Sequence, residues 1–292
     1  MSVTPMLPSL PRLMVEDAVK AALLEDLGRA GDLTTDATIS PDATATAELA
    51  SREDGVIAGL GLAETAFRLM DPELTFSAKV KDGDRVKRGD AIATISGKAR
   101  AILSAERVAL NFVMHMAGVA SYTARFADEI AHTPSRVTCT RKTIPGLRAF
   151  DKYAVRCGGG SNHRFGLDDA ILIKDNHVAV AGGVAKAVQA ARAYAGHLVK
   201  VEVEVDTLDQ LREALAASPD AVLLDNMTVD QLAEAVAINK ADNGGRVPLE
   251  ASGNVAIDTI RAIAETGVDY ISTSKITMAA PTLDVGLDIR IG

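Results

Sequence analysis

The chain has 292 residues, enough to bury a large core as one large α/β domain or as such a domain with a smaller partner. Its formal net charge of −8 argues against duplex nucleic acid as a partner, because a basic face is the usual footprint of that binding. The N-terminus lacks a basic region followed by a long apolar run, no uncharged stretch reaches the length of a membrane span, and Cys139 and Cys157 are too few for a disulfide framework; a cytoplasmic protein without a membrane partner is expected.

In chain order, Val15 to Leu27 reads as a helix with Val15, Val19, Leu23, Leu24 and Leu27 on one face. From Ala43 to Gly97, alternation of small and polar residues and turn signals at Asp82-Gly83 and Gly89-Asp90 predict an antiparallel sheet, interrupted by a helical GLAETAFRLM. The segment VKDGDRVKRGDAIATISG resembles the hammerhead of biotinyl and lipoyl domains, but no lysine occupies a modifiable tip, so it is scaffold. Ser104 to Ala131 is a long apolar helical pattern predicted to break near Gly118. Within it Glu106, Arg107 and Asn111 stand among Val, Leu and Met, which places them at a helix end or in an interface.

In the second half, short β-branched runs recur at 136–140, 170–174, 199–205, 221–225, 247–251 and 268–272. Helical patterns follow the later runs, with N-caps expected at Thr207, Thr228 and Asn254. Repeated strand–helix units predict a parallel sheet with helix crossovers, most simply a TIM-like barrel. Six strands are clear where eight close a barrel, so either a strand is hidden or the barrel is incomplete.

Barrel chemistry gathers at the carboxyl ends of the strands. Those positions hold Arg141 and Lys142, then Lys174 with Asn176 and His177, then Glu202, Glu204 and Asp206, then Asp225 and Asn226, then Glu250 and Ser252, and finally Ser272 to Lys275. Between Cys139 and Val178 the chain carries seven Lys and Arg against four Asp, a cationic island suited to a small polyanion. Cations come early and carboxylates late, which suggests an anion site beside a Mg²⁺ site with hard oxygen ligands. Ser252-Gly253-Asn254 leads into a predicted helix whose free N–H groups could receive a phosphate, as could any generic helix start. His177 is expected to shape its loop, Cys139 to lie in the core, Lys152 and Arg156 to pave a helix surface, and Cys157 has no paired base that would make it a nucleophile.

The run TRKTIPGLRAFDKYAVRCGGGSNHRFGLDDAILIKDNH, with EVEVD, LLDN, LEASGN, ETGVDYIS and the earlier GDLTTDATI, closely resembles the quinolinate phosphoribosyltransferase family over nearly the full length. The resemblance implies a homodimer with an N-terminal α+β sandwich domain (residues 1–117), an incomplete, seven-stranded TIM-like α/β barrel (118–274) and a C-terminal segment (275–292) returning to the N-terminal domain. It implies transfer of the phosphoribosyl group of phosphoribosyl pyrophosphate to quinolinate, with loss of pyrophosphate and CO₂. By motif position, Arg141, His163, Arg164 and Lys174 would grip the two carboxylates, and Arg107 would reach the site from the other subunit. Lys142 would meet the phosphoribosyl donor, Glu204 and Asp225 would hold Mg²⁺ and the ribose hydroxyls, and Ser252 and Gly253 the 5′-phosphate.

The chain departs from the family where many members carry Gly-Ala-Leu-Thr-His. Here Ser274-Lys275-Ile276-Thr277-Met278 stands, so the usual phosphate-loop glycine is Ser274 and the usual histidine Met278. The alternatives are a paralogous phosphoribosyltransferase using another heterocycle, and a non-catalytic binding or scaffold homologue; retained Lys142, Lys174, Glu204 and Asp225 speak against the scaffold.

Overall fold

The computed structural model describes residues 7–290. Two compact units divide the chain: residues up to Ala124 together with Ala149–Gly159 and the segment from Ala280, and Arg125–Arg148 together with Gly160–Ala279.

In the first unit, helix α1 (Arg12–Leu27) buries Val15, Val19 and Leu23, whose four-residue spacing puts them on one helix face. Leu24, expected on that face, is 59% exposed because it lies one residue step around the helix from Leu23. A short helix α2 (Leu33–Thr38) follows, capped by the Asp32 carboxylate, which accepts the Thr35 N–H at 2.9 Å. Strands β1 (Thr44–Ser51), β3 (Thr75–Ala78) and β5 (Ala91–Lys98) and the C-terminal strand Val285–Arg290 form the expected antiparallel sheet, with β1 flanked by β5 and the C-terminal strand. A separate two-stranded ribbon pairs β2 (Gly55–Val56) with β4 (Arg85–Val86), and helix α3 (Leu60–Met70) is the GLAETAFRLM segment.

Helix α4 (Ala99–Glu129) runs unbroken through Gly118, contrary to the predicted interruption. The glycine answers a packing need: a Cβ there would lie 2.2 Å from the Pro281 carbonyl oxygen, so only hydrogen lets the two backbones approach. Helix α5 (Arg148–Cys157) places Phe150, Ala154 and Val155 in the core of this unit. Lys152, expected on a helix surface, is only 3% exposed.

The second unit is built on six parallel strands, β6 (Arg136–Thr138), β7 (Ile171–Ile173), β8 (Val201–Val205), β9 (Ala221–Asp225), β10 (Leu249–Ser252) and β11 (Tyr270–Ser272), in the order β6-β11-β10-β9-β8-β7. Each falls inside a run read from the sequence or extends it by one residue. On the free edge of β6 a single residue, Ser161, makes a parallel bridge to Thr138, with Ser161 N–H donating to Val137 O at 2.8 Å. A seventh strand position is therefore occupied by one residue before the chain turns off towards His163. Helices α6 (Asp175–Ala181), α7 (Val184–Tyr194), α8 (Leu208–Ala217), α9 (Val229–Asn243), α10 (Ile260–Glu265) and α11 (Lys275–Met278) make the crossovers and the exit. Thr207 and Thr228 cap α8 and α9 in reciprocal capping boxes with Gln210 and Gln231, as their spacing predicts. Asn254 caps nothing: it has φ +52° and the next helix, α10, starts only at Ile260, so the phosphate-receiving helix start predicted at Ser252-Gly253-Asn254 is a loop instead.

Alternation along β8 sorts its side chains. Val201, Val203 and Val205 are at most 1% exposed, while Glu202 and Glu204 alternate with them on the opposite face. Such a strand keeps its valines in the apolar layer and turns its carboxylates to the other side, where Glu204 lines the strand-end pocket.

Candidate active site

At the ends of these strands lies a cavity of about 760 Å³. Its lining gathers Arg141, Lys142, His163, Arg164 and Lys174 from the early part of the unit, Glu204, Asp225, Glu250 and Ser252 from β8 to β10, and Gly253 and Ser274 from the later loops. Ten of the residues singled out in the sequence for substrate or metal thus meet in one pocket. Arg107 is the exception. It is an exposed residue of α4, in the first unit, and is not in the lining. Thr140, Leu172, Leu223 and Val255, which no sequence argument singled out, also line the wall, together with Asn226, Asn254, Ser272, Thr273 and Lys275 from the strand ends. Leu172 and Leu223 could have been found from period two, since each is the strand neighbour of a residue that faces the helices. Asp206, Asn176 and His177 stay outside the lining.

The cationic island resolves into two groups. Lys152 and Arg156 lie on α5 in the first unit, whereas Arg141, Lys142, Arg164 and Lys174 converge on the pocket. Arg148 belongs to neither: its Nε donates to Thr143 Oγ1 at 3.1 Å and one terminal nitrogen to the Phe165 carbonyl at 3.2 Å, which ties the loop after β6 to the loop before β7. Lys174 ends β7 and its Nζ donates to Glu204 Oε2 at 2.7 Å. Its own backbone N–H donates to His177 Nδ1 at 2.9 Å, so His177 shapes the start of α6 as the sequence suggested.

Burial and like charge decide the electrostatics. Asp225 has its pKa raised, first by burial and then by the negative charges of Glu204 and Asp206. Carboxylates crowded in this way gain from a cation between them. Arg164 has its pKa lowered by burial and by the neighbouring Arg141, and its Nε is buried without a hydrogen-bond partner. An anion held in the cavity between Arg141 and Arg164 would relieve their mutual repulsion.

A tighter cluster lies at the same wall, where His163 and Glu250 belong to the lining and Glu202 does not. His163 Nε2 is 2.9 Å from Glu202 Oε2 and 3.7 Å from Glu250 Oε1. Among the described residues this trio is the one group of three or more potential metal donors whose ligand atoms all lie within 4.8 Å of one another. Burial, followed by the charge of Glu202, pushes the Glu250 carboxyl up to about 7.

The loops are equally constrained. Asn226 leaves β9 at φ +52°, its Nδ2 donating to Asp225 Oδ2 at 2.7 Å and its backbone N–H to Ser252 O at 2.9 Å. A Cβ on Gly253 would lie 2.2 Å from Asn226 Oδ1, and the residue sits at φ +95°, so glycine is required beside the Asp225 carboxylate. Ser274, in contrast, has φ −81°, which any residue can adopt, so its serine costs the backbone nothing. Met278 is 55% exposed and outside the lining, while Lys275 is within it.

The two cysteines are not nucleophiles here. Cys139 is fully buried with Sγ 3.3 Å from Asn162 Oδ1, and burial together with Asp82 pushes the Cys157 thiol up to about 12.

A strand-end pocket with cations on one side, carboxylates on another and a glycine-bearing loop between them defines a barrel enzyme that handles a polyanionic substrate. The profile of the quinolinate phosphoribosyl transferase C-terminal domain matches residues 119–288 and that of the N-terminal domain residues 32–117; the chain belongs to this family. It is 40% identical over 279 residues to a probable nicotinate-nucleotide pyrophosphorylase [carboxylating] of Synechocystis, covering 96% of this chain and 94% of the relative. The nicotinate-nucleotide pyrophosphorylase [carboxylating] of Mycobacterium leprae is 43% identical, covering 94% and 96%. Among solved structures, the nicotinate-nucleotide pyrophosphorylase of Francisella tularensis superposes with a TM-score of 0.92 at 39% identity, over 99% of this chain and all of that one. Among the described residues no helix is long and apolar enough to cross a membrane.

Proposed function

We propose that the chain transfers the phosphoribosyl group of phosphoribosyl pyrophosphate to the ring nitrogen of quinolinate, releasing pyrophosphate and CO₂ and leaving nicotinate mononucleotide, a precursor of NAD. Membership of the family supports the reaction, and the observation that carries it to this pocket is the convergence of Arg141, Arg164 and Lys174 opposite Glu204 and Asp225. Guanidinium groups suit carboxylates because their planar fork binds bidentately. In this reading Arg141, Arg164 and Lys174 hold the dicarboxylate, and His163, whose ring nitrogens are taken by the Arg164 N–H and by Glu202, serves it by holding Arg164; Lys142 meets the donor, and Ser252, Gly253 and Ser274 face the 5′-phosphate. Arg107, exposed on α4, would serve the pocket of a neighbouring subunit in a homodimer, and the enzyme would work in the cytoplasm.

Mg²⁺ fits Glu204 and Asp225, whose crowding raises the Asp225 pKa and whose oxygens are hard ligands. Bound there with the donor, it supplies charge neutralisation for the pyrophosphate. The residues of the chain do the rest by placement. The pyridine nitrogen, placed by the grip on the C2 and C3 carboxylates, bonds to C1 of the ribose as the C1–O bond to pyrophosphate breaks, and the bonding electrons leave with pyrophosphate. The alkylated nitrogen is cationic and stabilises the carbanion formed when the adjacent C2 carboxylate departs as CO₂, and a proton from solvent then takes its place on C2. The test is direct: purified protein with phosphoribosyl pyrophosphate and Mg²⁺ should release CO₂ and form mononucleotide from quinolinate. Product from nicotinate and none from quinolinate would assign the pocket to another heterocycle; no product from either would make the chain a binding homologue.

A further inference from the structure

The family reaction needs residues that touch substrate, and the trio in the pocket wall raises a different question, since its two carboxylates do not match a dianionic substrate. His163 Nδ1 accepts the Arg164 backbone N–H at 2.7 Å, so the ring proton sits on Nε2, which donates to Glu202 Oε2 at 2.9 Å. The imidazole thereby links a carboxylate on β8 to the main chain of the residue that carries the pocket's unsatisfied guanidinium nitrogen. Glu250, on β10, is 6% exposed, and its Oε1 has no hydrogen-bond partner although it lies 3.7 Å from His163 Nε2. A second ionised carboxylate so placed would face Glu202 across one imidazole, in a buried wall, with half of its oxygens unserved; a neutral carboxyl carries its own donor and removes the repulsion.

We propose that Glu250 is a positioning residue held as the neutral carboxylic acid, which with the Glu202 carboxylate fixes the His163 ring and through it Arg164, so that dicarboxylate binding is tied to one proton. The groups facing Glu250 are Glu202 from β8, His163 from the loop after Ser161 and the Ser272 hydroxyl from β11, which is hydrogen-bonded to it. Around the same cavity stand Arg141, Lys174 and Glu204. Loss of the Glu250 proton adds an anion to the wall against which a dianion must bind, and it leaves His163 drawn between two carboxylates. The inference rests on the quinolinate reading for its substrate but not for its proton.

Glu250→Gln, which copies the neutral acid in shape and donor, separates this role from a structural one. In the wild type kcat/KM for quinolinate should fall above neutral pH by up to about tenfold per pH unit, the slope of a single proton. Glu250→Gln should keep activity near the wild-type level at pH 6.5 and lose that alkaline limb, the change lying in KM rather than kcat, whereas Glu250→Ala should be impaired at every pH. A second measurement needs no substrate. Burial keeps the Glu250 acid form to higher pH than in the unfolded chain, so its contribution to folding is full at acid pH and is lost as pH rises to about 7. Thermal melts from pH 4.5 to 8 should therefore show Glu250→Gln gaining a few degrees on the wild type as pH rises to neutral and no more beyond it. A Gln variant as inactive as Ala, or one with the wild-type alkaline limb and the wild-type dependence of melting on pH, overturns the proposal. Should quinolinate not be turned over at all, the function reading fails while the melting arm still decides the proton.

Discussion

Each unit of the molecule contains a buried cluster of titratable groups, and the two are built on opposite terms. In the first, the Asp82 carboxylate accepts the backbone N–H groups of Gly59 and Leu60 at 3.1 and 3.2 Å and the Tyr153 hydroxyl at 2.8 Å. These bonds tie the start of α3 to α5, and burial raises the pKa of Asp82, of Tyr153 and of Cys157. In the second, Glu250 and Arg164 each keep a buried polar atom with no partner, and both line the cavity. Perturbed titration alone does not mark a functional site, since both clusters have it. Incomplete hydrogen bonding among residues that line a cavity does distinguish them.

The largest effect expected from this contrast is on turnover. Arg141→Ala should lower kcat/KM by about 100-fold or more with little change in melting temperature, because the side chain is exposed and serves only the pocket. Near-normal kinetics would remove Arg141 from the site. The first unit should respond in the reverse sense. Gly118→Ala sets a methyl group against the Pro281 carbonyl and should cost about 2 kcal/mol, read as a fall of several degrees in melting temperature. An unchanged melt would mean that the approach of the segment from Ala280 to α4 is not required for folding. Smallest is Tyr153→Phe, which leaves one Asp82 oxygen short of a donor and should cost about 1 kcal/mol in denaturant unfolding while kcat holds. If that variant instead lost activity with its stability intact, the satisfied cluster would be functional after all and the contrast would fail.

The strand–helix beat from residue 136 onward was legible because each buried strand must be a short apolar run and each crossover helix needs its cap; Thr207 and Thr228 sit where capping chemistry demands. The pocket was legible for a related reason, as charged residues at the ends of otherwise apolar strands have only the barrel mouth to occupy. Glycine was less transparent. A glycine within a helical pattern reads as a break or as a close approach with equal right, and at Gly118 only the neighbouring Pro281 backbone decides. Asn254 likewise reads as a cap, yet it takes a left-handed conformation at the end of β10, where its Nδ2 reaches Asn226 Oδ1 at 3.2 Å.

By itself, then, the sequence determined the strands, the helices that cross between them and the residues that meet at the pocket, because these follow from period, capping and the position of charge along an apolar run. Only the tertiary structure decided which charges are satisfied. Lys152 and Arg156 left the cationic stretch for the first unit, Lys174 found Glu204, and Glu202 and Glu250 came to the two sides of His163. Pairing in a buried wall depends on distances of a few ångströms between strands far apart in the chain, and no local pattern carries that information.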